Sequence, residues 1–153
     1  MLIPQNTSVE LDEKDLMLIE ELKQDAKLSE QKLARKTSIP MTTVHNRLRK
    51  LRGLGVIRAY TIRLDYAKLG RPLVAYVLVK TVPGVDHKEM LEQIANIPHV
   101  SETAMITGDF DIIFKARVST LAELNEIVVQ RLRKQKTIAD ARTMLSYESI
   151  ENP

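Results

Sequence analysis

Thr42, Asn46 and Arg49 follow one another at spacings of four and three residues, the repeat that brings side chains onto one face of an α-helix. Their chemistry matches base edges. An amide pairs with adenine, a guanidinium forks onto guanine, and threonine offers both a hydroxyl and a methyl. Thr43 and His45 flank the three and complete the candidate base-reading set. A field of cations surrounds them: from Lys27 to Arg63 ten basic side chains stand against one acid, Glu30, a local charge of +9. Arg35, Lys36, Arg47, Lys50, Arg52 and Arg58 are the candidate phosphate contacts, which would position the chain on a duplex without reading its sequence. A charged helix face is more often merely solvated, but then mixed signs are expected. Here no acid interrupts residues 31–64, and like charges one turn apart cost helix stability unless a polyanion offsets them.

The elements that must position this face are marked by one device used three times. An apolar residue, a capping residue and an apolar residue four further on recur as Leu11, Asp12 and Leu16, as Leu28, Ser29 and Leu33, and as Val85, Asp86 and Met90. The first helix is predicted over Glu13 to Gln24, with Leu16, Ile19 and Leu22 or Lys23 on adjoining turns, so that only a narrow stripe is buried. The second is predicted from Glu30 to about Lys36, ending before Pro40, which biases Ile39 away from the helical region. A third follows from Met41 to about Leu54, with Val44, Leu48 and Leu51 buried, and Gly55 suits the left-handed residue that ends it. At 100° per residue that apolar stripe leaves Thr42, Asn46 and Arg49 within about 40° of the opposite side.

From Val56 the period changes to two, and the alternation of Tyr60, Ile62 and Leu64 with polar residues predicts a half-buried strand. Beyond the turn at Asp65 to Gly70 the pattern predicts a strand (Leu73 to Thr81), a helix (His87 to about Asn96) and a strand (Val100 to Ile106). A tight loop (Thr107 to Phe110), a strand (Asp111 to Val118), a helix (Leu121 to about Lys134) and a strand (Ile138 to about Tyr147) complete the order βαββαβ. Two right-handed crossovers would then pack both helices on one face of an antiparallel sheet. The fold class is therefore α+β, a winged helix-turn-helix followed by a ferredoxin-like domain. Its predicted bounds are 1–59 for the first module, 60–70 for a linker strand and turn, and 71–153 for the second.

The bulk numbers agree with a split chain. Residues 1–26 carry −5, residues 27–63 carry +9 and the remainder −1, so a modest net charge of +3 hides strong segregation. There is no cysteine, which removes disulfides, thiolate nucleophiles and zinc-thiolate sites and fits a reducing interior. No basic-then-apolar leader is visible, and the longest apolar run, Leu73 to Val79, is too short to span a bilayer, so the reading predicts a soluble, cytoplasmic chain with no membrane partner. His45, His87 and His99 lie on different elements without acid or cysteine partners at metal spacing, so no metal is expected. No phosphate-cradling glycine loop, Ser-His-Asp order or paired acids on a helix face is present, and an enzyme is not expected. On turn chemistry alone, Gly108 to Asp111 is a hairpin connection.

Taken in order, these residues resemble the Lrp/AsnC, or feast/famine, family of transcription regulators. The N-terminal likeness runs through Leu11, Asp12, Asp15, Ile19, Leu22, the Asp25-Ala26 pair, Leu33-Ala34, Thr43-Val44, Arg47-Leu48, Leu51 and Gly55-Val56-Ile57 to Tyr60. The C-terminal likeness rests on Ile97-Pro98, Val100, the Gly108-Asp109-Phe110-Asp111 loop and Thr143. The resemblance implies a sequence-specific regulator bound to double-stranded DNA as a homodimer pairing through its sheets, and often an octamer or other assembly of dimers. It implies no cofactor, but an amino acid of unknown identity as effector in a cleft between dimers. Thr107, Gly108, Asp109 and Asp111 are the implied effector contacts, with Thr143 beside them. The chemistry suits: Gly108 lets backbone approach a ligand, and a carboxylate can receive an ammonium group.

Four positions depart from the family pattern. Ser38 stands where such turns often have glycine, and Pro40 takes the helix-capping slot where a hydroxyl is common. Arg52-Gly53 replaces an acid, with a helix cost of about 1 kcal/mol at Gly53. Lys136-Thr137-Ile138 replaces the usual Pro-Gly-Val. Two rivals remain at this level: an architectural DNA-coating or RNA-binding protein, the latter on a sheet of the same βαββαβ order, though the strands lack paired base-stacking aromatics, Phe114 standing nearly alone; and an enzyme on the ferredoxin-like half, which no catalytic motif supports.

Overall fold

Residues 8–148 are described by the computed structural model and fall into two compact units that divide between Arg63 and Leu64. The first unit is helical: α1 (Glu13–Gln24), α2 (Glu30–Thr37) and α3 (Met41–Gly53). Asp12 caps α1, its side chain accepting from the Asp15 amide while the Asp15 carboxylate accepts from the Asp12 amide. Ser29 caps α2 through the Lys32 amide. Pro40 leaves α3 with no side-chain cap.

One small core joins the three helices, built from Leu18, Leu33, Ile39, Val44, Leu48 and Leu51. Helix α1 enters it differently from the expectation. Leu18 is fully buried and Leu16 is 51% exposed, so the Leu11–Leu16 staple does not anchor this helix. The turn between α2 and α3 is fixed from both sides. The Thr37 hydroxyl donates to the Leu33 carbonyl at 2.7 Å, and Ile39 is buried. Between them Ser38 takes φ 56°, a left-handed conformation that costs an L-residue roughly 1–2 kcal/mol, and here it is the burial of its neighbours that holds it.

The strand expected after Val56 is not formed. Residues 56–65 belong to no strand among the described residues, and Tyr60, Ile62 and Leu64 are 48%, 69% and 46% exposed. An alternating sequence makes a strand only when another strand offers it hydrogen bonds, and none within the described chain does. Gly55, at φ +70°, ends α3 as expected.

The second unit holds β1 (Leu73–Thr81), α4 (His87–Ala95), β2 (Val100–Met105), β3 (Ile112–Val118), α5 (Leu121–Asn125) and β4 (Ile138–Ser146). The strands form one antiparallel sheet in the order β2-β3-β1-β4. Ala75, Val77 and Val79 of β1 alternate inward beside Ile112, Phe114, Ala116 and Val118 of β3. Met90 and Ile94 of α4 and Leu124 of α5 cover them. The opposite side, carrying Tyr76, Leu78, Ile113 and Met144, is left partly open.

The last helix also departs from a plain α-helix: after Asn125 it widens into a π-helical stretch, Glu126–Leu132, with the Arg133 amide reaching back five residues to the Val128 carbonyl. The sequence explains the wider turn. Ile127 and Leu132 lie five residues apart, about 140° out of phase on an α-helix, and the π register brings both into the core. No helix among the described residues is long and apolar enough to cross a membrane.

Candidate nucleic-acid interface

Helix α3 is amphipathic in the sense the sequence requires. Val44, Leu48 and Leu51 are buried, while Thr42, His45, Asn46 and Arg49 are exposed and Thr43 is half-buried. Thr42, Thr43, Asn46 and Arg49 make no side-chain hydrogen bond or ion pair with any described residue. His45 differs, its Nδ1 lying 3.0 Å from Glu30 on α2.

The cations around this face divide into two groups. Arg35 and Arg58 have no ion-pair partner among the described residues, and Arg52 uses its Nε only to meet the Leu48 carbonyl at 3.3 Å. Lys36, by contrast, pairs with Glu21 at 2.6 Å. Arg47, expected to meet phosphate, is instead drawn inward. Its Nη1 donates to both carboxylate oxygens of Asp12 at 2.6 Å and to Asp15 at 2.8 Å, while Lys50 reaches the other Asp15 oxygen at 3.4 Å.

Asp15 is the centre of that cluster, with a fully buried side chain. Burial pushes its carboxyl up, but the hydrogen bond from Arg47, the Asp12 amide and the Arg47 charge outweigh burial and leave it below the ordinary range. The Arg47 hydrogen bond likewise lowers Asp12, and the two carboxylates hold the Arg47 guanidinium more firmly protonated than usual. A carboxyl whose folded value lies below its unfolded value stabilises the fold fully above the unfolded value, and that stability disappears as pH falls through the folded one. The helical unit should therefore keep a constant melting temperature from neutrality down to pH about 5 and lose it below about pH 4. Circular dichroism melts across that range check this, and Asp15→Ala should flatten the acid limb.

In the second unit the loop Thr107 to Phe110 joins β2 to β3. Thr107, Gly108 and Asp109 are exposed, and Gly108 sits at φ +117°, a conformation that other residues rarely adopt. Their amides and that of Phe110 meet no acceptor among the described residues. Asp111 is committed elsewhere: its Oδ2 accepts from the Thr81 amide at 2.7 Å and from the Thr81 hydroxyl at 2.9 Å. The Thr81 amide is the main reason the Asp111 carboxyl lies below its usual range, with His87 and Lys80 adding positive charge against the cost of burial. Thr143 is not gathered with the loop. It lines a groove with Leu124, Val128 and Arg133 beside the last helix. No set of three acidic or histidine side chains able to hold a metal occurs among the described residues.

Sequence reasoning placed Asp12 as a cap but missed the ion pairs of Asp12 and Asp15 with Arg47, and the roles of Thr81 and His87. Only Asp15 left a signal, an acid inside a helix's apolar stripe, where it needs a buried partner.

A three-helix head with an outward polar recognition face, joined to a βαββαβ domain, defines a helix-turn-helix DNA-binding regulator with a separate ligand-binding domain. Family models agree along most of the chain: residues 11–52 match the AsnC-type helix-turn-helix domain and residues 74–152 the Lrp/AsnC ligand binding domain. An uncharacterized HTH-type transcriptional regulator of Pyrococcus furiosus is 40% identical over 143 residues, covering 92% of this chain and 95% of that protein. The solved structure of LrpC from B. subtilis superposes with a TM-score of 0.84 at 27% identity, covering 95% of this chain and all of that one. A transcriptional regulator of Neisseria meningitidis, solved in complex with L-Met, has the same fold, with a TM-score of 0.87 at 20% identity over 94% of each chain. The chain belongs to the Lrp/AsnC family of transcriptional regulators. It is a DNA-binding regulator and not an enzyme.

Proposed function

We propose that this regulator reads a specific duplex sequence by laying α3 in the major groove, with Asn46, Arg49 and Thr42 at the base edges and Thr43 and His45 beside them. One observation carries the reading: Thr42, Asn46 and Arg49 stand exposed on one face of α3 with no hydrogen-bond or ion-pair partner among the described residues. Arg35, Lys50, Arg52 and Arg58 supply phosphate contacts. Lys36 and His45 contribute less, because each must exchange a glutamate for DNA. Arg47 leaves the phosphate set, since its charge is already met by Asp12 and Asp15.

Two heads on one pseudo-palindrome require a dimer, and the open sheet side with Tyr76, Leu78, Ile113 and Met144 is the surface on which two copies pair. Larger assemblies of dimers follow the same logic. The cytoplasm is where its DNA lies. The Thr107 to Asp111 loop is the place for a small amino-acid effector, of the class that the Neisseria meningitidis relative carries. Asp109, exposed and without a partner among the described residues, is the carboxylate suited to receive an ammonium group. An effector acts only through preference for one assembly, so binding and assembly must change together. Thermal melts against the twenty amino acids, followed by sizing, test this. At a hundredfold excess over its Kd an effector should add about 2.7 kcal/mol and change the mass of the assembly. Twenty unchanged midpoints would remove the effector from the account.

A further inference from the structure

Strand β1 continues past the end of its neighbour. The Asp111 amide donates to the Val79 carbonyl at 3.0 Å, the last ladder bond on that side, and the chain then leaves the sheet through the loop. The next amide of β1 facing the same way belongs to Thr81, and β3 offers it no carbonyl. The Asp111 carboxylate takes that amide at 2.7 Å and the Thr81 hydroxyl at 2.9 Å. A pairing irregularity with β4 between Lys80 and Thr81 accompanies the bend. Thr81 is 7% exposed, so its hydroxyl is nearly dry, and the hydroxyl also lies 3.0 Å from His87 Nε2 at the start of α4.

Counting hydrogens fixes the polarity of this chain of contacts. An ionised carboxylate only accepts, so the Thr81 hydroxyl spends its single hydrogen on Asp111. His87 Nε2 must therefore be the donor to the Thr81 oxygen, which a neutral ring protonated at Nε2 and an imidazolium both satisfy. The relay runs from the first turn of α4, through the end of β1, to the residue from which the loop springs. It engages Asp111 Oδ2 and leaves Asp109 and the loop amides without a partner among the described residues.

We infer that Thr81 and His87 are positioning residues of the effector loop: they hold Asp111 as the fixed post of the Thr107 to Asp111 turn, so that Asp111 shapes the site without contacting the ligand. The inference rests on the reading of that loop as the effector site, and its test separates the two. Hydrogen exchange on the full-length protein, followed by mass spectrometry on peptides covering residues 78–83 and 104–112, reads the post directly, with no ligand needed. Thr81→Val, which keeps the shape and removes the hydroxyl, should speed exchange there about tenfold, and Thr81→Ser should remain near wild type. His87→Leu should act as Thr81→Val does in weaker form, and His87→Gln, which retains a donor, should restore protection. The same variants enter the melts with the twenty amino acids: any amino acid that stabilises the wild type should bind Thr81→Val about tenfold more weakly and Thr81→Ser normally.

Equal protection in Thr81→Val and Thr81→Ser would overturn the inference. So would an effector that binds the two alike. If no amino acid stabilises the wild type while the exchange pattern holds, the effector reading fails and the post stands as a brace of the loop alone.

Discussion

Asp15→Ala is expected to lower the stability of the helical unit by about 2–3 kcal/mol. Removing one partner of a fully buried ion pair ordinarily costs more, about 3–5 kcal/mol, because the other charge is stranded. Two facts reduce it here: the Arg47 side chain is 22% exposed, and Asp12 would still hold it. For a unit of about 60 residues the change corresponds to roughly 10–20 °C in its melting temperature. Calorimetry of the whole chain would show the transition of the first unit moving and that of the second unchanged. Asp12→Ala should do less, since its carboxylate is largely in water. Replacing both partners, as in Asp15→Leu with Arg47→Met, should recover much of the loss, for a charge stranded beside apolar neighbours costs more than an apolar pair. If Asp15→Ala melts with the wild type, the contact does not pin α3 to α1.

Arg49→Ala should cost about 1–3 kcal/mol on a preferred site and little on unrelated DNA, a ten- to hundredfold loss of discrimination. The reason is geometric. Arg49 projects from the face opposite Val44, Leu48 and Leu51, and no described residue competes for its guanidinium. Lys50→Ala should act differently, weakening every sequence alike and reducing the slope of log affinity against log salt by about one. Lys50 lies 3.4 Å from Asp15, so part of its charge is already screened, and its effect should fall below that of Arg35→Ala, where no acid among the described residues pairs with the guanidinium. Equilibrium titrations on both kinds of DNA at several salt concentrations distinguish these outcomes. Identical profiles for Arg49→Ala and Lys50→Ala would end the division into base-reading and phosphate-binding side chains.

What was legible in the sequence is whatever the chain decides locally. The caps at Asp12, Ser29 and Asp86 placed three helix starts, and the Val44, Leu48 and Leu51 stripe fixed which side of α3 faces out. Period-two runs placed the four strands of the second unit within a residue or so of their observed ends. What was not legible depends on partners distant in sequence. Arg47 reads as one more cation until Asp15, 32 residues earlier, is brought beneath it. Asp111 reads as a free acid until the end of β1, 30 residues earlier, supplies an amide that the sheet has left over. The segment after Val56 has a strand's pattern but lacks a second strand, and pattern alone cannot supply one. Leu16 fits a staple by spacing, yet the core of so small a unit is filled by Leu18 and its neighbours, which leaves Leu16 in water.

The most direct measurement is the affinity of the wild-type protein for the region upstream of its own gene against bulk DNA of the same length, by competition at one salt concentration. With α3 reading base edges from its outward face, the preferred site should bind at least about a thousandfold more tightly. Equal affinities would mean that the cationic surface coats DNA without reading it, and would contradict the account at its centre.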